Sequence, residues 1–214
     1  MTEIFREVDE ELRRDNWLKL WRRYGRYVAA AAVLVVAATA LNVGWRDYGV
    51  RQQKASSEAF LTALELANAD RIPEALSDFA VLKEEGVGGY AILAQFRQAA
   101  LRSENGEIAA ATEIYDRIAD DSSQDDLLRE LATLYSAILQ SESSDTATLI
   151  ARLEPVAEDG RPWRYSAREA IAVLNMRIGE TAKARDVFTA LVDDLNAPRN
   201  MRARAAEMLR VLDS

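Results

Sequence analysis

The chain has 214 residues, with 27 Lys and Arg against 35 Asp and Glu, and it contains neither His nor Cys. Those two absences remove disulfides, thiolate and imidazole metal sites, and the Ser-His and Cys-His catalytic arrangements; any catalysis would rest on carboxylates, Lys, Tyr or Ser. A net charge of −8 turns the bulk of the chain away from nucleic acid and anionic lipid.

Residues 1–26 carry seven Lys and Arg and six Asp and Glu. Ile4, Val8 and Leu12 recur every fourth residue. Beyond Asp15-Asn16 the set Trp17, Trp21, Tyr24, Val28 follows at spacings of four, three and four, one face of a helix. Lys19, Arg22, Arg23 and Arg26 fall mostly on the other flank. The pattern predicts a basic amphipathic segment that lies on a membrane surface and turns into the stretch that follows. A docking peptide for a cytoplasmic partner is the alternative.

Residues 27–45 contain no charge. As an α-helix these nineteen residues would be about 28 Å long, close to the thickness of a bilayer's hydrocarbon core. Six Lys and Arg flank the N-terminal side and Arg46, Arg51 and Lys54 the other, an asymmetry that keeps the tail cytoplasmic and sends residues 46–214 across. Tyr24, Tyr27, Trp45 and Tyr48 stand where amphipathic rings settle at the two interfaces. The competing readings are a cleaved signal with Ala38-Thr39-Ala40 as its site, a twin-arginine signal at Arg13-Arg14, and a buried helix. Ala30, Ala37 and Gly44 share one stripe on which a second transmembrane helix can approach, and Asn42 is placed to hydrogen-bond across that contact.

From Tyr48 onward Ala, Leu, Glu and Arg dominate, which predicts helices throughout. Residues 46–214 carry 20 Lys and Arg against 29 Asp and Glu, net −9. Four pairs repeat along them: Ala75-x3-Phe79, Ala111-x3-Tyr115, Leu149-x3-Leu153 and Ala184-x3-Phe188, at intervals of 36, 38 and 35. Five residues before each pair lies a turn position, Asp70, Gly106, Ser144 or Gly179, and seven before that an alanine, Ala63, Ala99, Ala137 or Ala172. Three residues further back come Phe60, Phe96 and Leu134, but Glu169 in the fourth copy. This is the layout of a degenerate tetratricopeptide-like repeat, in which a small residue of helix A lets helix B cross closely and the paired residues of helix B fill the seam. An irregular bundle of Ala-rich helices is the alternative.

Turn chemistry divides the chain at the same places. Gly86-Val87-Gly88-Gly89 precedes a helix from Tyr90, and it reads as a helix-to-helix turn because the Lys-Ser/Thr and strand of a phosphate loop are missing. Ser123-x-x-Asp126 reads as a capping box, Gly160-Arg161-Pro162 opens the next helix, and a last helix after Asn196-Ala197-Pro198 covers the open end. Asp120, Asp121, Asp125 and Asp126 lack the spacing of a calcium loop, so no metal or cofactor is expected. Trp163, Arg164 and Tyr165 form the one polar-aromatic cluster; they are candidate partner contacts, with packing between repeats as the other reading.

In order, the chain shows Glu7-Val8-Asp9-Glu10-Glu11-Leu12-Arg13-Arg14-Asp15, then Lys19-Leu20-Trp21-Arg22-Arg23-Tyr24-Gly25, an apolar span, and a repeat region. That region holds Gly88-Gly89-Tyr90-Ala91, Leu127-Leu128-Arg129-Glu130-Leu131-Ala132 and Pro162-Trp163-Arg164-Tyr165-Ser166-Ala167-Arg168-Glu169. The set resembles the YfgM-type family of ancillary SecYEG translocon subunits over essentially the whole chain. The resemblance implies a single-pass protein of the bacterial inner membrane with its repeat domain in the periplasm. It also implies association with translocon subunits, a periplasmic chaperone and emerging exported chains, and it supplies no catalytic residues.

The expectation is an all-α chain: a basic tail over 1–26, a transmembrane helix over 27–45, and a solenoid of about four helix pairs plus a capping helix over 46–214. Its function is that of a membrane-anchored adaptor and not an enzyme. The alternative is a structural scaffold for envelope assembly or cell division.

Overall fold

The computed structural model describes residues 3–213, with side chains from residue 21 onward except at Val28, Ala31 and Ala32. Among the described residues every regular element is helical. The order is α1 Glu3–Asn68, α2 Ile72–Glu85, α3 Tyr90–Glu104, α4 Ile108–Asp120, α5 Asp126–Leu139, α6 Thr146–Leu153, a 3-10 turn Glu154–Ala157, α7 Arg164–Arg177, α8 Thr181–Asp193 and α9 Arg199–Leu212. Contacts divide the chain into two units, 1–55 and 56–214.

In the first unit α1 runs unbroken from Glu3, so the tail enters 27–45 without the turn anticipated from the sequence. Asp and Asn cost a helix only a few tenths of a kcal/mol each, roughly 0.7 at most, too little for Asp15-Asn16 to break it. The tail stripe Ile4, Val8, Leu12, Trp17 and, at its end, Val28 lies outside the described side chains. Val33, Leu34, Val35 and Val36 are four successive residues, 65–69% exposed. At 100° per residue they point all round the helix, so no single face of this segment is buried. Among the described residues no helix is long and apolar enough to cross a membrane. Within the uncharged stretch 27–45, Val28, Ala31 and Ala32 fall outside the described side chains.

In the second unit the helices pair as the repeat spacing predicts: the end of α1 with α2, α3 with α4, α5 with α6, and α7 with α8, with α9 closing the stack. From α2 to α9 the packed pairs are consecutive helices, with α5 also meeting α7. All four crossing alanines, Ala63, Ala99, Ala137 and Ala172, are at most 1% exposed, because any larger side chain there would hold helix B off. The four repeating pairs of helix B are at most 4% exposed.

Each core spans one pair and the first helix of the next. Ala63, Phe79, Leu82, Ala94 and Leu101 join α1, α2 and α3, while Ala99, Ile114, Ile118 and Ala132 join α3, α4 and α5. Leu134, Leu149, Leu153 and Ala167 tie α5 and α6 to α7, and Tyr165, Phe188, Leu191 and Ala205 tie α7 and α8 to α9. A single pair cannot cover its own apolar face, and stacking supplies the cover.

Three of the four turns within pairs are built alike. Asp70, Gly106 and Gly179 sit at φ of 60°, 81° and 80°, the left-handed region. The following amide donates back to the fifth carbonyl before it: Arg71 N to Leu66 O at 3.0 Å, Glu107 N to Arg102 O at 2.8 Å and Glu180 N to Asn175 O at 2.9 Å. These bonds satisfy carbonyls that the ended helix leaves orphaned.

The third pair departs from the pattern. Ser144 is not left-handed, and the turn is held by side chains: Gln140 Nε2 donates to Ser136 Oγ at 2.7 Å and Ser144 Oγ to Gln140 Oε1 at 3.1 Å. Ser136, fully buried, donates to Asp116 Oδ1, which also accepts from Arg152 at 2.7 Å, so α4, α5 and α6 share one polar knot. Pro155 ends α6 after eight residues, since its ring cannot donate to or clear the preceding turn. The chain continues as a 3-10 turn that still drives Val156 into the core.

One cap differs from its sequence reading. Asp125, not Ser123, caps α5, its Oδ1 accepting from Leu127 N at 2.8 Å. Ser123 instead donates through both N and Oγ to Asp121, because it stands two residues ahead of the cap position.

Candidate functional site

The site is the surface formed by the first helices of the second, third and fourth pairs. After α3, α5 and α7 have buried their crossing stripes, each keeps a second apolar stripe in the open, and Leu93, Tyr135, Ile138 and Val173 remain 41–47% exposed. Two depressions follow from this, of about 440 and 380 Å³, the size range of ligand pockets. Leu131, Tyr135 and Ile138, at spacings of four and three on α5, line both and form the wall between them.

The larger depression lies between α3 and α5, with Tyr115 of α4 at its base. Three rings meet there: Phe96 and Tyr115 with centroids 5.8 Å apart, Tyr115 and Tyr135 at 5.3 Å, and Phe96 and Tyr135 at 6.4 Å. Burial, aided by Tyr135 and Glu104, pushes the Tyr115 hydroxyl up to about 12. The Tyr115 hydroxyl therefore keeps its proton at any physiological pH. Arg97, Ser103 and Glu104 supply the polar groups of the lining.

The smaller depression lies between α5 and α7, with Leu134, Ala170, Val173 and Leu174 in its walls and Trp163 beside them. Glu169 enters it and is held by Arg204 of α9 through two parallel bonds, Nε to Oε1 at 2.7 Å and Nη2 to Oε2 at 2.6 Å. This accounts for the odd residue of the fourth copy. Phe60 and Phe96 at the equivalent positions pack tilted or edge-on against Tyr90 of α3 and Tyr135 of α5, the next first helices. Glu169 makes the same reach toward α9 with a charge.

The Trp163, Arg164, Tyr165 cluster does not form one surface. The half-buried Trp163 donates from its indole nitrogen to Leu127 O at 2.8 Å, pinning α7 to the start of α5. Tyr165 points the other way, 8% exposed, and its hydroxyl donates to Asp194 at 2.9 Å. Arg164 lies 4.2 Å over the Tyr165 ring and donates to its hydroxyl and to Arg161 O. Asn42, Ala30, Ala37 and Gly44 belong to the first unit and are all exposed; a Cβ at Gly44 would meet nothing within 4 Å. Sequence reasoning passed over Leu93, Tyr135, Ile138 and Val173 as site residues. Their signal is a second apolar stripe offset from the crossing alanine, readable only once the buried stripe is known.

Within the 120–126 run Asp121 accepts from Ser123 and Gln124 as a turn acceptor, and Asp125 accepts from Leu127 as a cap. Asp126 pairs with Arg129.

Helix hairpins stacked so that successive first helices present one face make a repeat scaffold, a class that presents extended binding surfaces and carries no fixed chemistry. Residues 18–208 match the tetratricopeptide repeat-like domain, and the chain belongs to that family. The comparison with curated proteins found no match. Its role is protein–protein interaction.

Proposed function

We propose that the protein is a membrane-anchored adaptor, not an enzyme, that works beside the Sec translocon and passes exported chains to periplasmic chaperones. In this reading 27–45 is a single span, the tail is cytoplasmic, and the repeat unit stands in the periplasm of a bacterial inner membrane. The observation that carries the adaptor role is the open apolar face of α3, α5 and α7, left uncovered where the opposite sides of the same helices are closed. The anchor is supported by the nineteen uncharged residues and by Val33 to Val36 pointing outward all round α1. Confinement to one membrane raises the effective concentration of partner and groove, so a weak contact suffices.

Site-specific photo-crosslinking in intact cells tests both halves, with the probe at Asn42 in one strain and at Ile138 in another. The expected products are translocon subunits at Asn42, and a chaperone or emerging chains at Ile138. Products drawn only from envelope-synthesis or division proteins would replace this reading with that of a structural scaffold.

A further inference from the structure

The larger depression has features that select among protein partners. α3 and α5 are not among the closely packed pairs, so a trough opens between them. Its α3 wall runs from Leu93 to Glu104, twelve residues with a rise of about 16 Å, three helical turns. Apart from Ser103 and the two charges on α3, its lining is apolar and aromatic. An extended chain laid there would leave its amides and carbonyls without partners, whereas a helix satisfies its own. Helical ridges at spacings of three and four on both walls also suit a third helix.

Charge narrows the partner further. Residues 56–214 hold 17 Lys and Arg against 28 Asp and Glu, net −11, yet residues 131–140 of the trough wall hold none. Arg97 and Glu104, both exposed and two turns apart on α3, have no ion-pair partner among the described residues. The net −11 of the unit draws in a basic segment, while the trough itself carries one charge of each sign. The two free charges fix its direction.

The geometry points to a basic amphipathic α-helix of a partner protein as the occupant of the α3–α5 trough. Its apolar face lies on Phe96, Tyr135 and Ile138, with a Lys or Arg at Glu104 and an acidic residue two turns away at Arg97. This inference rests on the binding role proposed above for the open face and adds the class of ligand.

The test uses the full chain in zwitterionic lipid nanodiscs, with a benzoylphenylalanine crosslinker at Ile138 or, as a control, at the exposed Val81 of α2. The probe is a labelled 18-residue amphipathic helix of Leu and Lys with one Glu. The comparisons are a scrambled peptide of the same composition and a Leu/Glu counterpart. The Leu/Lys helix should crosslink at Ile138 and not at Val81, with a half-saturation about tenfold below that of either comparison peptide. Glu104→Lys should weaken it roughly two- to fivefold, while Glu113→Lys, the same charge change on α4, leaves it within error. Equal crosslinking of the scrambled peptide would overturn the helical ligand, and equal binding of the Leu/Glu peptide or equal effects of the two substitutions would overturn its charge; the open face would still stand as a binding surface. If no peptide crosslinked at Ile138 above the Val81 level, the open face itself would lose its role.

Discussion

Single residues set the ends of the helices, and three of them do so by backbone conformation alone. At Gly106 and Gly179 a Cβ would meet nothing within 4 Å, so an Ala substitution tests the left-handed φ without a packing change. Gly106→Ala and Gly179→Ala should each lower stability by about 1 kcal/mol in urea titration, and Asp70→Gly, at the matching turn, should raise it by a few tenths, roughly 0.5 kcal/mol. A second residue-scale prediction concerns acid. Hydrogen bonds from Ser123 to Asp121, from Thr148 to Asp145, and from the Asn196 amide and Tyr165 to Asp194 hold all three carboxyls below their ordinary 3.8. A depressed folded-state pKa contributes stability that is complete above the unfolded value and lost as pH falls through the folded one. Thermal stability should therefore stay flat from neutrality to about pH 5 and decline below about pH 4. Asp145→Asn, which keeps a capping acceptor that does not titrate, should soften that decline; Asp145→Ala should lower the melting temperature at every pH.

Among elements, the join between α7 and α9 is the informative one. Glu169 is largely covered, its side chain 22% exposed, so Arg204→Ala strands a carboxylate where water reaches it poorly. The single variant should melt earlier than the parent, and the double variant Glu169→Leu with Arg204→Leu should recover most of the loss, read as a coupling in a double-mutant cycle. The sequence made the helix pairs legible because each crossing alanine and each filled seam leaves its residue at a fixed interval. Glu169 stood out as an exception, but its reason was hidden, since Arg204 lies 35 residues away and only stacking brings them together. The same holds for Trp163 and Tyr165: two residues apart in the chain and alike in chemistry, they face opposite neighbours because positions i and i+2 of a helix point about 200° apart. The trough was illegible for a related reason. It exists in the spread between α3 and α5, which no local spacing encodes. Pro155, which ends the short α6, went unread although proline inside a helical run is a local signal.

For the whole molecule, four separate cores imply nearly independent contributions. Phe79 and Phe188, 1% and 0% exposed, lie in the first and last of them and share no neighbour. Each Phe→Ala change should cost about 3–5 kcal/mol, and the double variant should cost their sum to within about 0.5 kcal/mol by denaturant titration of the full chain. A large excess over that sum would mean that the cores communicate.

Stacked repeats have no intrinsic length, because the face that accepts the next unit is re-created by every unit added. An aromatic at the reach position offers that acceptance to any similar helix, in the same chain or another. The carboxylate of Glu169, matched to the fork of Arg204, withholds it. The pair thus joins the fourth hairpin to α9 through a matched charge, where Phe60 and Phe96 join the first and second to the helices that follow them through ring contacts.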